Sequence, residues 1–175
     1  MKSFKQHIFE KLKVGVRNAT KHTLFPKTTD ELKQVIKDEI SKNGLDCSLN
    51  HIDVSEITDM TELFYGSKFN GDISRWDVSN VTNMASMFAF SKFNGDISKW
   101  DVSNVIDMRG MFTNSNFNGD ISDWDVSKVE DMGLMFCDSK FNGDISNWDV
   151  SRVKKTALMV LNSPLQNNKP KWLKR

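Results

Sequence analysis

Cysteine, histidine and proline are scarce in this 175-residue chain, and each scarcity closes off a class of function. The two cysteines, Cys47 and Cys137, lie far apart with no Cys-x-x-Cys spacing, so neither a zinc site nor a disulfide framework is read. The three histidines, His7, His22 and His51, have no carboxylate or thiol at ligand spacing, and the hydrolase, zinc and phosphate-loop signatures are all missing. No catalytic residue, metal ligand or cofactor motif is therefore nominated, and a non-enzymatic protein is expected. No apolar run approaches the roughly 18 residues that a membrane span requires. The start, Met1 to His7, is charged with no apolar stretch behind it, so no export signal is read and the cytoplasm is the default location.

Net charge is also small, 24 Lys and Arg against 23 Asp and Glu, but it is unevenly spread. Residues 1–27 hold seven basic residues and one acid, and residues 152–175 hold seven basic residues and none. The stretch between them is net −12. Fields act within about 10 Å at 0.1 M salt, so the ends and the middle face different partners. Basic blocks without interleaved aromatics are weak evidence for nucleic-acid binding, which is not expected.

What the chain does have is a repeat. Phe69-Asn70-Gly71-Asp72-Ile73-Ser74 recurs at Phe93, Phe117 and Phe141, and Trp76-Asp77-Val78-Ser79 recurs at Trp100, Trp124 and Trp148, each after 24 residues. All five tryptophans share one slot, and eight of nine methionines occupy two. A unit of this size cannot bury its own apolar side and needs stacked neighbours. The expected fold is an α/β repeat solenoid, a right-handed leucine-rich-repeat-like stack of about five coils. Each coil should carry short β segments, from Asp-Ile-Ser and Trp-Asp-Val-Ser, and one helical turn, from Val81, Met84, Met87 and Phe88 at helical spacing. Asn70-Gly71 is expected to close the coil, with glycine permitting a positive φ. The Met and Phe columns read as core and the Trp column as buried or partly buried. The Asn and Asp columns read as turn-bonding groups, with calcium between stacked carboxylates as the alternative.

The domain reading is a basic arm over 1–27, a capping helix over 28–44, repeats with a degenerate last copy over 45–172, and a basic tail over 173–175. Thr28-Thr29-Asp30-Glu31 is a capping box, and Leu32, Val35, Ile36 and Ile40 form an apolar stripe ending before Gly44. A second amphipathic stretch, Ser3 to Val14, is read as a docking or flexible arm.

The unit Phe-Asn-Gly-Asp-Ile-Ser-x-Trp-Asp-Val-Ser-Asn-Val-Thr-x-Met-x-x-Met-Phe resembles the BspA-like, mycoplasma-type surface lipoprotein repeat family, a leucine-rich-repeat relative. The resemblance covers about 45 to 172. It implies an adhesion or interaction protein at a cell surface and brings no catalytic residues with it.

Columns that differ between copies mark where recognition can be written. Position 75 reads Arg75, Lys99, Asp123, Asn147; position 86 reads Ser86, Gly110, Leu134, Leu158; position 90 reads Phe90, Asn114, Asp138, Asn162. The candidate binding face is Arg75, Ser86, Phe90, Lys99, Asn114, Asp123 and Asp138, with Phe90 the anchor because its column is otherwise polar. The expected function is a monomeric protein-interaction scaffold with another protein as partner. The alternatives are a glycan-binding adhesion module using the Trp column, and binding of a nucleic acid or membrane surface through the basic ends.

Overall fold

The computed structural model describes residues 21–174; the arm read from Ser3 to Val14 lies outside them. The expected fold class is wrong. Among the described residues there is one α-helix and no β-strand or sheet, and no repeat unit contains a helical turn. Turns and irregular backbone make up the rest, so this is not an α/β solenoid of five coils.

The missing strands have a local cause. The Oδ1 atoms of Asp72, Asp96, Asp120 and Asp144 accept the N–H of the serine two residues on, at 2.9–3.0 Å. Asp77, Asp101, Asp125 and Asp149 do the same at 3.0–3.1 Å. Each Asp thus bends its own backbone and ends an extended segment almost where it starts. What survives of β pairing is six isolated parallel bridges, four of them in one row, Asp59–Asn83, Asn83–Asp107, Asp107–Asp131 and Asp131–Lys155.

The missing helical turns have a related cause. Met84, Met87 and Phe88 are spaced as on a helix, yet the N–H of Met87 donates to Met84 O, that of Ala89 to Ser86 O and that of Ser91 to Phe88 O, three residues back in each case. The intervening N–H groups leave the unit altogether: those of Met84, Ser86, Phe88 and Phe90 donate to the carbonyls of Asp107, Arg109, Met111 and Thr113 in the next unit. A donor used between units cannot close an i−4 bond. Consecutive β-turns share the three-and-four spacing of a helix, which is why the pattern misleads.

The 24-residue register is real and is carried by side chains as well. The Nε1–H of Trp76, Trp100, Trp124, Trp148 and Trp172 donates to the carbonyl 27 residues earlier, from Leu49 through Ile145, at 3.0–3.2 Å. Oδ1 of Asn70, Asn94 and Asn118 accepts the N–H of the next asparagine in the column, at 2.7–2.8 Å. Phe64, Phe88, Phe112 and Phe136 stack at 5.5–5.8 Å with nearly parallel rings, beside a second ladder of Phe69, Phe93, Phe117 and Phe141. With the buried Met, Ile and Val columns they form one continuous core.

The recurring glycine of Asn-Gly works differently from expectation. Gly71, Gly95, Gly119 and Gly143 do not have positive φ. They are small because space is short: a Cβ on Gly71 would lie 1.9 Å from Cys47 O, and one on Gly95 2.8 Å from the Phe93 ring.

The single α-helix among the described residues, α1, spans Thr29–Asn43. Thr28 Oγ1 accepts the Glu31 N–H at 3.2 Å, Glu31 reaches back to the Lys27 N–H at 2.7 Å, and Gly44 ends the helix at φ 89°. Leu32 and Ile36 enter the core, and Thr29 Oγ1 donates to Asp59 O at 2.7 Å, at the start of the first turn layer. At the other end two short 3₁₀ segments, Pro164–Asn168 and Lys171–Lys174, place Leu165 and Trp172 at the ends of the second Phe and the Trp columns.

Candidate functional site

The turn layers create a ridge along one edge of the molecule, and its backbone explains its side chains. Two positions in every layer have positive φ. One column is Glu62, Ser86, Gly110, Leu134 and Leu158, at φ 54–63°, and the other is Gly66, Phe90, Asn114, Asp138 and Asn162, at φ 50–65°. Two of the three columns that differ most between copies are therefore left-handed columns. Glycine and asparagine fit this conformation; a bulky residue is strained there. Phe90 and Leu134 are held in it because their N–H groups are committed to the next layer: that of Phe90 donates to Thr113 O at 2.7 Å and that of Leu134 to Ala157 O at 2.9 Å.

Left-handed backbone also turns these side chains outward. Phe90 is 48% exposed, Leu158 58%, and Leu134 is exposed as well. Tyr65, one position before Gly66, is 53% exposed and meets Phe90 with ring centroids 5.3 Å apart at a 53° tilt. Tilted aromatic pairs at this separation attract each other. Leu134, Leu158 and Leu161 make a second apolar group on the same ridge, and Gly110, Thr113 and Asn114 lie between the two.

The seven candidate residues do not form one site. Ser86, Phe90, Asn114 and Asp138 lie on the ridge. Arg75, Lys99 and Asp123 are exposed in a separate column beside the buried tryptophans, and no hydrogen bond or ion pair among the described residues joins the two sets. Asp138 is engaged locally: Asn162 Nδ2 donates to its Oδ1 at 2.9 Å and the Cys137 thiol to its Oδ2 at 3.2 Å, and these bonds hold its carboxyl below the usual range. Burial, aided by the neighbouring carboxylate, pushes the Cys137 thiol up to about 11, so it is a poor nucleophile near neutrality. Cys47 and Cys137 are both free thiols.

Tyr65, Leu134, Leu158 and Leu161 were not among the candidates. Leu134 and Leu158 stand in a column already singled out and were findable there; Tyr65 and Leu161 stand at the two ends of another column, Tyr65, Ala89, Thr113, Cys137 and Leu161, whose variation was not singled out.

The other readings meet specific geometry. Trp76, Trp100, Trp124 and Trp148 are each 4% exposed, so these four offer no face to a sugar ring, and only Trp172 at the end of the column is half-buried. The repeat carboxylates are turned onto backbone N–H groups, and the described residues contain no cluster of three or more His, Cys, Asp and Glu able to hold a metal ion. Among the described residues no helix is long and apolar enough to cross a membrane.

The sequence profile of the family described as "Mycoplasma protein of unknown function, DUF285" matches residues 30–137 and 90–172. The chain belongs to this family. The match covers α1 and every turn layer, and it carries the mycoplasma-type part of the resemblance without extending to the BspA-like proteins. No curated protein and no solved structure matches the chain.

Proposed function

We propose that this DUF285 protein is a non-enzymatic protein-interaction scaffold whose turn ridge is the binding face, with Phe90 and Tyr65 as the anchor. The observation that carries the reading is the exposed Tyr65–Phe90 pair, with Phe90 on a left-handed backbone. A phenylalanine at φ 59° costs stability, and where such strain persists at an exposed aromatic the side chain is serving something other than the fold. Clustered aromatics are the usual centres of binding energy in protein interfaces. The finer kinship with BspA-like adhesion proteins, and a place of action at the cell surface, belong to the same reading, since a ridge along stacked turns presents a long surface to a partner.

The test is capture of protein partners by the intact chain and by Phe90→Asn and Tyr65→Ala. Asparagine is what the same column carries at Asn114 and Asn162, so Phe90→Asn keeps the backbone. A partner retained by the wild type and lost from both variants, with unchanged thermal unfolding, supports the reading. A partner held equally by all three refutes the ridge as the binding face.

A further inference from the structure

Along the ridge the alternate N–H groups of each layer donate forward to the next. The N–H groups of Met132, Leu134, Phe136 and Asp138 donate to the carbonyls of Lys155, Ala157, Met159 and Leu161, at 2.7–2.9 Å. The same groups in the last layer belong to Thr156, Leu158, Val160 and Asn162. Asn162 is satisfied by Gln166 Oε1 at 2.7 Å. The other three N–H groups have no acceptor among the described residues, because Pro164 begins a 3₁₀ segment that leads the chain to the Phe and Trp side. They line a cleft of about 330 Å³ together with Lys169 and Leu173.

In each earlier layer such a row of alternate donors is met by the alternate carbonyls of the next turn layer, so an incoming segment folded into consecutive turns pairs with it. Charge selects which segment. Lys154 reaches Glu130 at 2.8 Å and Lys155 reaches Asp131 at 3.0 Å in the layer before, and on their other side these lysines meet no described carboxylate. Residues 152–175 hold seven basic residues and no acid.

We propose that the edge of Thr156, Leu158 and Val160 takes up an acidic segment of a partner protein, folded as one further turn layer, whose alternate carbonyls continue the ladder and whose carboxylate meets Lys155. The first layer of a second copy is obstructed as an occupant, because α1 lies over it with Leu32 and Ile36 buried, and Thr29 already takes Asp59 O, one of the four carbonyls that would have to accept.

The probe is a synthetic peptide with the sequence of residues 55–67, the chain's own most acidic turn layer, carrying Glu56, Asp59 and Glu62 and no basic residue. It is titrated into the full chain and followed by backbone amide shifts. The expected result is saturable shifts concentrated at Thr156, Leu158 and Val160, weakened by salt, and several-fold weaker binding by Lys155→Glu and by a peptide with Gln, Asn and Gln in place of the three acids. Thr156→Pro deletes one donor and should weaken binding too; if it fails to fold, Lys155→Glu decides alone. Shifts centred on Tyr65 and Phe90, no saturable shift, or equal binding by Lys155→Glu overturns the proposal. Concentration-dependent growth in size that Lys155→Glu abolishes also overturns it, by making a second copy the occupant.

Discussion

At the N-terminal end of the stack a helix closes the first turn layer, whereas at the C-terminal end the last turn layer keeps a bare edge. Behind α1, Met60, Leu63 and Phe64 are buried as deeply as their counterparts in the middle of the molecule. At the far end Met159 and Val160 are buried from within, but Leu158 and Leu161 are exposed and three N–H groups face solvent. The difference follows from what each end would otherwise show to water. An uncovered first layer would expose large apolar side chains, at about 25 cal/mol for each Å². The last layer has Thr156 where the others have methionine and Val160 where they have phenylalanine, so less apolar core would need covering there, and its open N–H groups are ones that water can hydrate.

The sharpest way to break this comparison is to shorten one buried and one exposed leucine. Leu32→Ala, in the helix that closes the first layer, should lose about 3 kcal/mol of unfolding free energy. Leu158→Ala, on the open edge, should stay within about 0.5 kcal/mol of wild type. Chemical denaturation of the two variants checks this. Equal losses would mean that the two ends are finished alike.

A smaller effect, of opposite sign, is expected on the ridge. Leu134→Gly and Leu158→Gly should each be neutral or gain up to about 1 kcal/mol, because glycine relieves the left-handed strain while giving up little contact. The same change at Gly95, Gly95→Ala, should instead destabilise by about 1–3 kcal/mol, because the new Cβ meets the Phe93 ring inside a packed ladder. Thermal unfolding separates the two kinds of special position. If Leu158→Gly proves as harmful as a core truncation, the exposed leucines are holding the fold together and are not a free surface.

These contrasts also show what could be read from the residues. The Met and Phe columns read as core from their spacing of 24 and the Trp column as buried or partly buried, with sugar stacking as the alternative, and the capping box at Thr28 foretold α1 from local chemistry. The helical turn was misread because Met84, Met87 and Phe88 suit a helix and a pair of turns equally; the choice is made by N–H groups bonded to another unit, which no local pattern shows. The strands were misread because Trp76 and Val78 alternate and the odd spacing from Ile73 to Trp76 was read as a corner between two short strands, while Asp72 and Asp77 cut the extended backbone on both sides. On the ridge, the variability of columns 86 and 90 was visible, but its reason, a backbone that tolerates any side chain poorly and turns it outward, was not. Arg75, Lys99 and Asp123 varied as freely and belong to another column, so variability alone could not assemble a site.

The smallest effect concerns acid. Glu130 has its carboxyl held below the usual range by the Lys154 ammonium bonded to it. Because its folded pKa lies below its unfolded one, this pair's contribution is present above the ordinary glutamate value of about 4.3 and is lost as pH falls through the folded value. The Asp53 and Asp101 carboxyls, lowered by the hydroxyl and N–H of the following serines, behave in the same way, so the whole stack loosens in acid. The C-terminal end has the additional charge pairs Glu130–Lys154 and Asp131–Lys155 between its last two layers. Amide exchange of Met132 and Leu134, which donate across that junction, should therefore accelerate more between about pH 5 and pH 3 than exchange of Met60 and Glu62, after correction for the intrinsic pH dependence of exchange. High salt at neutral pH should reproduce part of the difference, since exposed pairs are screened. Equal acceleration at both junctions would show that these pairs contribute nothing to closing the last layer, and that its stability rests on Met159, Val160 and the ladder alone.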